Sequence, residues 1–148
     1  MTSTVLNALA PLVRRYEGLR LRAYLCPAGI PTIGYGHTKG VSLGQVITVE
    51  EAESLLQQDM SLALASTLQL CPALAKDQLK LAAVADFTFN LGAGRLRAST
   101  LRRRINDGDY EDVPHQLRRW VRAGPKILPG LVARRESEIE LFLQDTSE

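Results

Sequence analysis

The run at residues 77–91, DQLKLAAVADFTFNL, is apolar nearly all round. A helix without a polar face does not lie at a surface, so this segment is expected to be a central buried helix, closed by Gly92 and Gly94. With 148 residues the chain is about the size of one domain, long enough to bury a real core around that helix. Hydrophobic residues at 45% and charged residues at 23% exclude wholesale disorder and a fibrous repeat.

Residues 2–17 place Val5, Leu6, Leu9, Leu12, Val13 and Tyr16 at helical spacing with Gly18 as a stop, so Glu17 falls at a helix C-terminus. In 23–41, AYLCPAGIPTIGYGHTKGV, glycines and prolines punctuate aromatic and β-branched residues, the pattern of a small β-hairpin or a three-stranded sheet. Thr48 with Glu51 three residues on is a capping box opening a helix to about residue 70. Its stripe of Ala52, Leu55, Leu56, Met60, Ala63 and Thr67 is widened by Leu62, Leu64 and Leu70, implying contact on more than one face. Pro72 ends it. Three shorter helices are expected at about 99–106, 112–121 and 131–144, with Pro114 tolerable only in a first turn. The tail TSE is expected to fray. One small hairpin followed by helices is an α+β architecture dominated by helix.

Charge is uneven. Residues 91–135 hold ten Arg and Lys126 against four acidic residues, a net of +7, while the rest carries −5. Such a basic half suits a polyanion, whether nucleic acid, an anionic envelope polymer or a membrane face, and equally suits solvated Arg-rich helix faces. Two cysteines, Cys26 and Cys71, exclude a disulfide framework, and no Cys/His spacing points to a metal. No apolar run approaches the ~18 residues that span a bilayer, and the first residues lack a basic region ahead of an apolar stretch.

Glu17 at a helix end, Cys26 in the following loop and Thr32 at the start of TIGYGHT are folded by a Gly-rich hairpin around one cleft. The residues YEGLRLRAYLCPAGIPTIGYGHT resemble the start of phage-type lysozymes, the T4-lysozyme-like enzymes of glycoside hydrolase family 24 found among endolysins. Those enzymes use a Glu, an Asp or Cys nine residues on, and a Thr six further on. FTFNLGAGRLRASTLRRRINDGDY resembles the family's central helix and the turn after it, and QLRRWVRAG and PGLVARRESEIELF its C-terminal motifs. The resemblance implies a two-lobed α+β fold in a single catalytic domain over 1–148. A β lobe at about 18–47 is joined by the long helix to a helical lobe at about 72–144 that also takes the N-terminal helix.

It further implies a muramidase that cleaves the β-1,4 bond between N-acetylmuramic acid and N-acetylglucosamine with inversion. Glu17 is then the general acid, and Cys26 with Thr32 holds the attacking water. A helix C-terminus and a half-dry cleft both favour the protonated form of Glu17. Cys26 stands where Asp is more familiar, and an ordinary thiol is only a few per cent thiolate at pH 7. Either the site activates it or it only orients the water. Tyr35, Gly36, His37 and Asn90 are expected to bind substrate; His37 either pairs with Glu17 or steadies the hairpin. Phe87 and Phe89 read as core, and Trp120 as the anchor of the helical lobe. One of Arg134 and Arg135 is expected to reach inward to an acidic partner, while residues 102–104 and 118–122 supply rim charge.

No cofactor or metal is expected. The partner is peptidoglycan and the chain a monomer, held in the host cytoplasm until a holin or another breach of the inner membrane gives access to the wall. The alternatives are a lytic transglycosylase, in which an internal sugar hydroxyl attacks, or a non-catalytic homologue that binds peptidoglycan or nucleic acid.

Overall fold

A computed structural model describes residues 2–144. Helix α1 (Thr2–Glu17) buries Val5, Leu9 and Val13. Pro11 lies inside it on the exposed side, as does Asn7 four residues earlier, so the carbonyl that loses its helical donor faces water. Strands β1 (Arg20–Leu25) and β2 (Pro31–Gly34) pair antiparallel, with Tyr24 opposite Thr32. Ala23 N–H donates to the Gln45 carbonyl and Ile47 N–H to that of Leu21, so 45–47 runs along the outer edge of β1. The sheet is therefore a two-stranded hairpin with a bridged third segment.

Helix α2 (Val49–Leu70) opens with both bonds of the Thr48/Glu51 capping box. Leu64 and Leu70 widen its buried stripe as expected, but Leu62 is 65% exposed: it faces away from every packed neighbour. A 3-10 turn (Pro72–Lys76) leads to α3 (Gln78–Leu91), capped by Asp77 and stopped at Gly92 with φ +93°. Residues 81–88 of α3 are all buried, enclosed by α1, α2 and α7 (Pro129–Leu143). This is the central helix that its all-round apolarity requires.

Gly94 does not help close α3. It lies inside a short extra helix, α4 (Ala93–Ala98), for which the small AGRLRA segment has too few apolar positions to show a period. Helices α5 (Thr100–Asn106) and α6 (Val113–Arg118) follow, the second with Pro114 in its first turn. α6 stops short of residue 121 because the chain turns back in a second small hairpin, β3 (Arg122–Ala123) and β4 (Lys126–Ile127), around Gly124 at φ +61°. α7 starts at Pro129, two residues earlier than expected, because proline suits the first helical position. The TSE tail lies outside the described residues.

Two hydrophobic clusters define two lobes. The larger fills the helical lobe and includes Leu56, Met60, Phe87 and Phe142; the smaller joins Ala23, Ile33, Ile47 and Ala52 beneath the hairpin. α2 contributes Ala52 to one and Leu56 through Leu70 to the other, and the Tyr35 ring packs against both. Trp120 meets Phe87 edge-on at 5.4 Å, anchoring the end of α6 on the central helix.

Candidate active site

Glu17 is the last residue of α1, where Gly18 turns the chain at φ +71° toward β1. Its two carboxylate oxygens have different company. Oε2 accepts a 2.7 Å hydrogen bond from an Arg134 guanidinium nitrogen. Oε1 lies over Gly36, so close that a Cβ there would stand 2.7 Å away. Gly36 has φ +82°, so this position requires glycine twice, for its backbone and for the carboxylate above it.

Arg134 is fully committed. Its Nε and a terminal nitrogen form a fork with both oxygens of Asp86, at 2.8 and 2.9 Å, while its other nitrogen reaches Glu17. Asp86 is wholly buried on α3 and Arg134 is 3% exposed. Burial disfavours ionised Asp86, but the two bonds from Arg134 overcome it and hold this carboxyl below the usual aspartate range. Glu17 is thus one end of a bridge from the C-terminus of α1 to the central helix. One of Arg134 and Arg135 is expected from the sequence to reach inward; both are buried, and Arg134 takes the Glu17 side. Arg135 binds Glu138 at 2.9 Å and the Asn90 side-chain oxygen at 2.7 Å.

Cys26 and Thr32 meet at the other end of the hairpin. Cys26 N–H donates to the Ile30 carbonyl and Gly29 N–H to the Cys26 carbonyl, closing a tight turn. That turn sets the amides of Ile30, Ala28 and Gly29 around the half-buried thiol, with the Thr32 side chain beside it. The Ile30 amide has the largest effect, and together they hold the Cys26 pKa below the usual thiol value. Thr32 is buried and its hydroxyl donates to the Ile30 carbonyl at 2.9 Å, leaving its lone pairs to accept from a water. Among the described residues no hydrogen bond joins Glu17 to Cys26 or Thr32. Cys71, by contrast, is sealed in the helical core, where burial pushes its pKa to about 11.

A cavity of about 310 Å³ opens between the loop after β2, α2 and the end of α3, lined by Gly36, His37, Asp59, Ser66, Thr88 and Phe89 among others. His37 does not pair with Glu17. Its Nδ1 bonds Asp59 at 2.8 Å and its Nε2 the Lys39 carbonyl at 2.9 Å, so it fastens the hairpin lobe to α2. Tyr35 turns its hydroxyl toward the Arg14–Glu53 ion pair. Asn90 is half-buried with its oxygen bound to Arg135, leaving its NH2 group available. Phe87 is core; Phe89 packs on the core and also reaches the cavity.

Sequence reasoning missed Asp59, Asp86 and Glu138. Asp86 had a signal: it is the one carboxylate inside the otherwise apolar run 78–91, and a buried carboxylate needs a cation. Glu138 and Asp59 had none, because each sits among polar neighbours in sequence. Among the described residues no group of three or more His, Cys, Asp or Glu is placed to hold a metal. No helix among them is long and apolar enough to cross a membrane.

Comparison with known proteins places the chain in a family and a fold. A family model described as phage lysozyme matches residues 14–138. An endolysin of Acyrthosiphon pisum secondary endosymbiont phage 1 is 42% identical over 137 residues, covering 88% of this chain and 92% of that protein. The muramidase domain of SpmX from Asticaccaulis excentricus superposes with a TM-score of 0.83 at 30% identity, covering 93% and 96% of the two chains. An endolysin from Escherichia coli O157:H7 phage FAHEc1 gives 0.80 at 31% identity, covering 93% and 91%. With most of its length matched by the family model and by close relatives, and with the two-lobed fold in place, this chain belongs to the phage lysozyme family.

Proposed function

We propose that this chain is an endolysin: a muramidase that hydrolyses the β-1,4 bond between N-acetylmuramic acid and N-acetylglucosamine in bacterial peptidoglycan, lysing the host cell. The observation that carries this reading is the split environment of Glu17. Arg134 fixes Oε2, while Oε1 is left over Gly36 at the margin of the cavity. The free oxygen is the one that delivers a proton to the glycosidic oxygen, and the hydrogen bond from Arg134 to Oε2 sets its aim.

In this reading Cys26 replaces the more familiar aspartate of glycoside hydrolase family 24. The turn amides that favour its thiolate supply a base, and Thr32 accepts a hydrogen bond from the attacking water. Thiolate and water then work on the face of the sugar opposite Glu17, giving inversion. Tyr35, Gly36, His37 and Asn90 line or support the sugar groove, and the whole of 1–148 acts as one catalytic domain. The enzyme works as a monomer without a metal or cofactor, and reaches the wall from the cytoplasm once a holin opens the inner membrane.

Glu17→Gln tests this directly. It should fold as the wild type does and lose peptidoglycan hydrolysis by about 10²-fold or more. Mass spectrometry of wild-type products should show reducing-end muramic acid; anhydro-muramic ends would instead establish a lytic transglycosylase.

A further inference from the structure

Beyond the Arg134 bridge lies a second acid that the proposed reaction does not use. Glu138 on α7 is fully buried, as are Asp86 and Arg135. Its Oε2 accepts one bond, from Arg135 at 2.9 Å, while its Oε1 is buried and, as an ionised oxygen, has no donor among the described residues. The Asp86 carboxyl stands within hydrogen-bonding reach of Glu138. Two carboxylates are both acceptors only, so their contact in a dry interior requires a proton between them.

Asp86 and Glu138 face two guanidiniums, those of Arg134 and Arg135, and the bonding separates the two acids. It is asymmetric: Asp86 takes a two-pronged fork from Arg134, whereas Glu138 takes a single bond from Arg135, whose other donors go to Asn90 and the Trp120 carbonyl and whose Nε has no partner. That is the pattern of an ionised Asp86 beside a neutral Glu138.

We propose that Glu138 is a positioning residue that is protonated at neutral pH and donates to Asp86, so that Arg134 stays divided between Asp86 and Glu17 and holds the catalytic carboxyl in place. The positioning half of this statement rests on Glu17 being the general acid; the protonation half does not. Burial is the main cause that keeps the proton on Glu138, and the neighbouring Asp86 charge adds to it. Loss of the proton would place two buried anions in contact and pull Arg134 toward them, away from Glu17. The charged groups facing Glu138 are Asp86 from α3 and Arg134 and Arg135 from its own helix, with Glu17 of α1 one bond further along.

The experiment is infrared spectroscopy of the whole protein in D2O at pH 7, unlabelled and with ¹³C-carboxyl glutamate, joined to a pH–activity profile of Glu138→Gln. A protonated-carboxyl band that moves on glutamate labelling, and disappears in Glu138→Gln, is expected. Glu138→Gln keeps a donor toward Asp86, so its kcat at pH 7 should stay within about threefold of wild type, while the alkaline limb of its profile moves to higher pH. The absence of a labelled band in the wild type, which needs no variant to fold, would overturn the proton. An unchanged alkaline limb beside a clear band would overturn the positioning role. A fully active Glu17→Gln would instead sink the catalytic reading and with it the positioning role, while the band still decides the proton.

Discussion

Glu17 and Gly36 form the tightest steric pair of the site. Gly36→Ala sets a methyl 2.7 Å from Oε1 and forces a side chain to φ +82°. The strain should cost about 1–3 kcal/mol, and the displaced carboxylate should lower activity by about 10-fold or more; thermal unfolding and a lysis assay separate the two effects. Cys26 allows a test in pH. Its pKa lies below the ordinary thiol value because the turn amides, Ile30 first, favour the thiolate, so activity should rise with pH through a limb set by that group. Cys26→Asp should stay active and move the limb down toward the aspartate range near ~3.9. Cys26→Ser should be impaired, since a hydroxyl offers no accessible anion. A Cys26→Ser profile superimposable on wild type would remove the thiolate from the mechanism.

At the scale of elements, local signals with a defined partner read correctly from the sequence. The Thr48–Glu51 box is one: both bonds depend on residues three apart, so no distant contact can override them. Thr48→Ala should cost about 1 kcal/mol, measured by denaturant unfolding. The central helix was legible for a different reason, since apolarity on every side leaves burial as its only environment. What was not legible depended on the far side of the contact. Leu62 has the same sequence signal as Leu64, and only the placement of α3 decides that one is buried and the other bare. α4 and the hairpin at 122–127 are too short to carry a period. In the site, the spacing from Glu17 to Cys26 to Thr32 was visible because the hairpin is local. Its charge partners were not, because Arg134 lies 117 residues from Glu17.

For the molecule as a whole, the buried ionic cluster ties three helices together: α1 through Glu17, α3 through Asp86 and α7 through Arg134, Arg135 and Glu138. Asp86→Asn removes the two-pronged anionic partner of the buried Arg134 guanidinium and leaves it Glu17 alone, so it should destabilise the fold by about 3–5 kcal/mol at pH 7. Because the folded-state pKa of Asp86 is lowered, its contribution is present above the ordinary aspartate value and is lost as pH falls through the lowered one. The difference between Asp86→Asn and wild type should therefore close below about pH 3.9. Much of the basic excess of residues 91–135 is also held internally. Arg104 pairs with Asp112 and Arg118 with Glu136, while Arg102 binds the Leu70 carbonyl at the end of α2.

The claim on which all of this turns is that Glu17, aimed by Arg134, delivers the proton that breaks the glycosidic bond. Purified peptidoglycan digested with wild type and with Glu17→Gln, both confirmed as folded by circular dichroism, tests it most directly through mass spectrometry of the released muropeptides. Reducing-end muramic acid products from the wild type alone are expected. Equal release of the same products by folded Glu17→Gln would contradict the assignment.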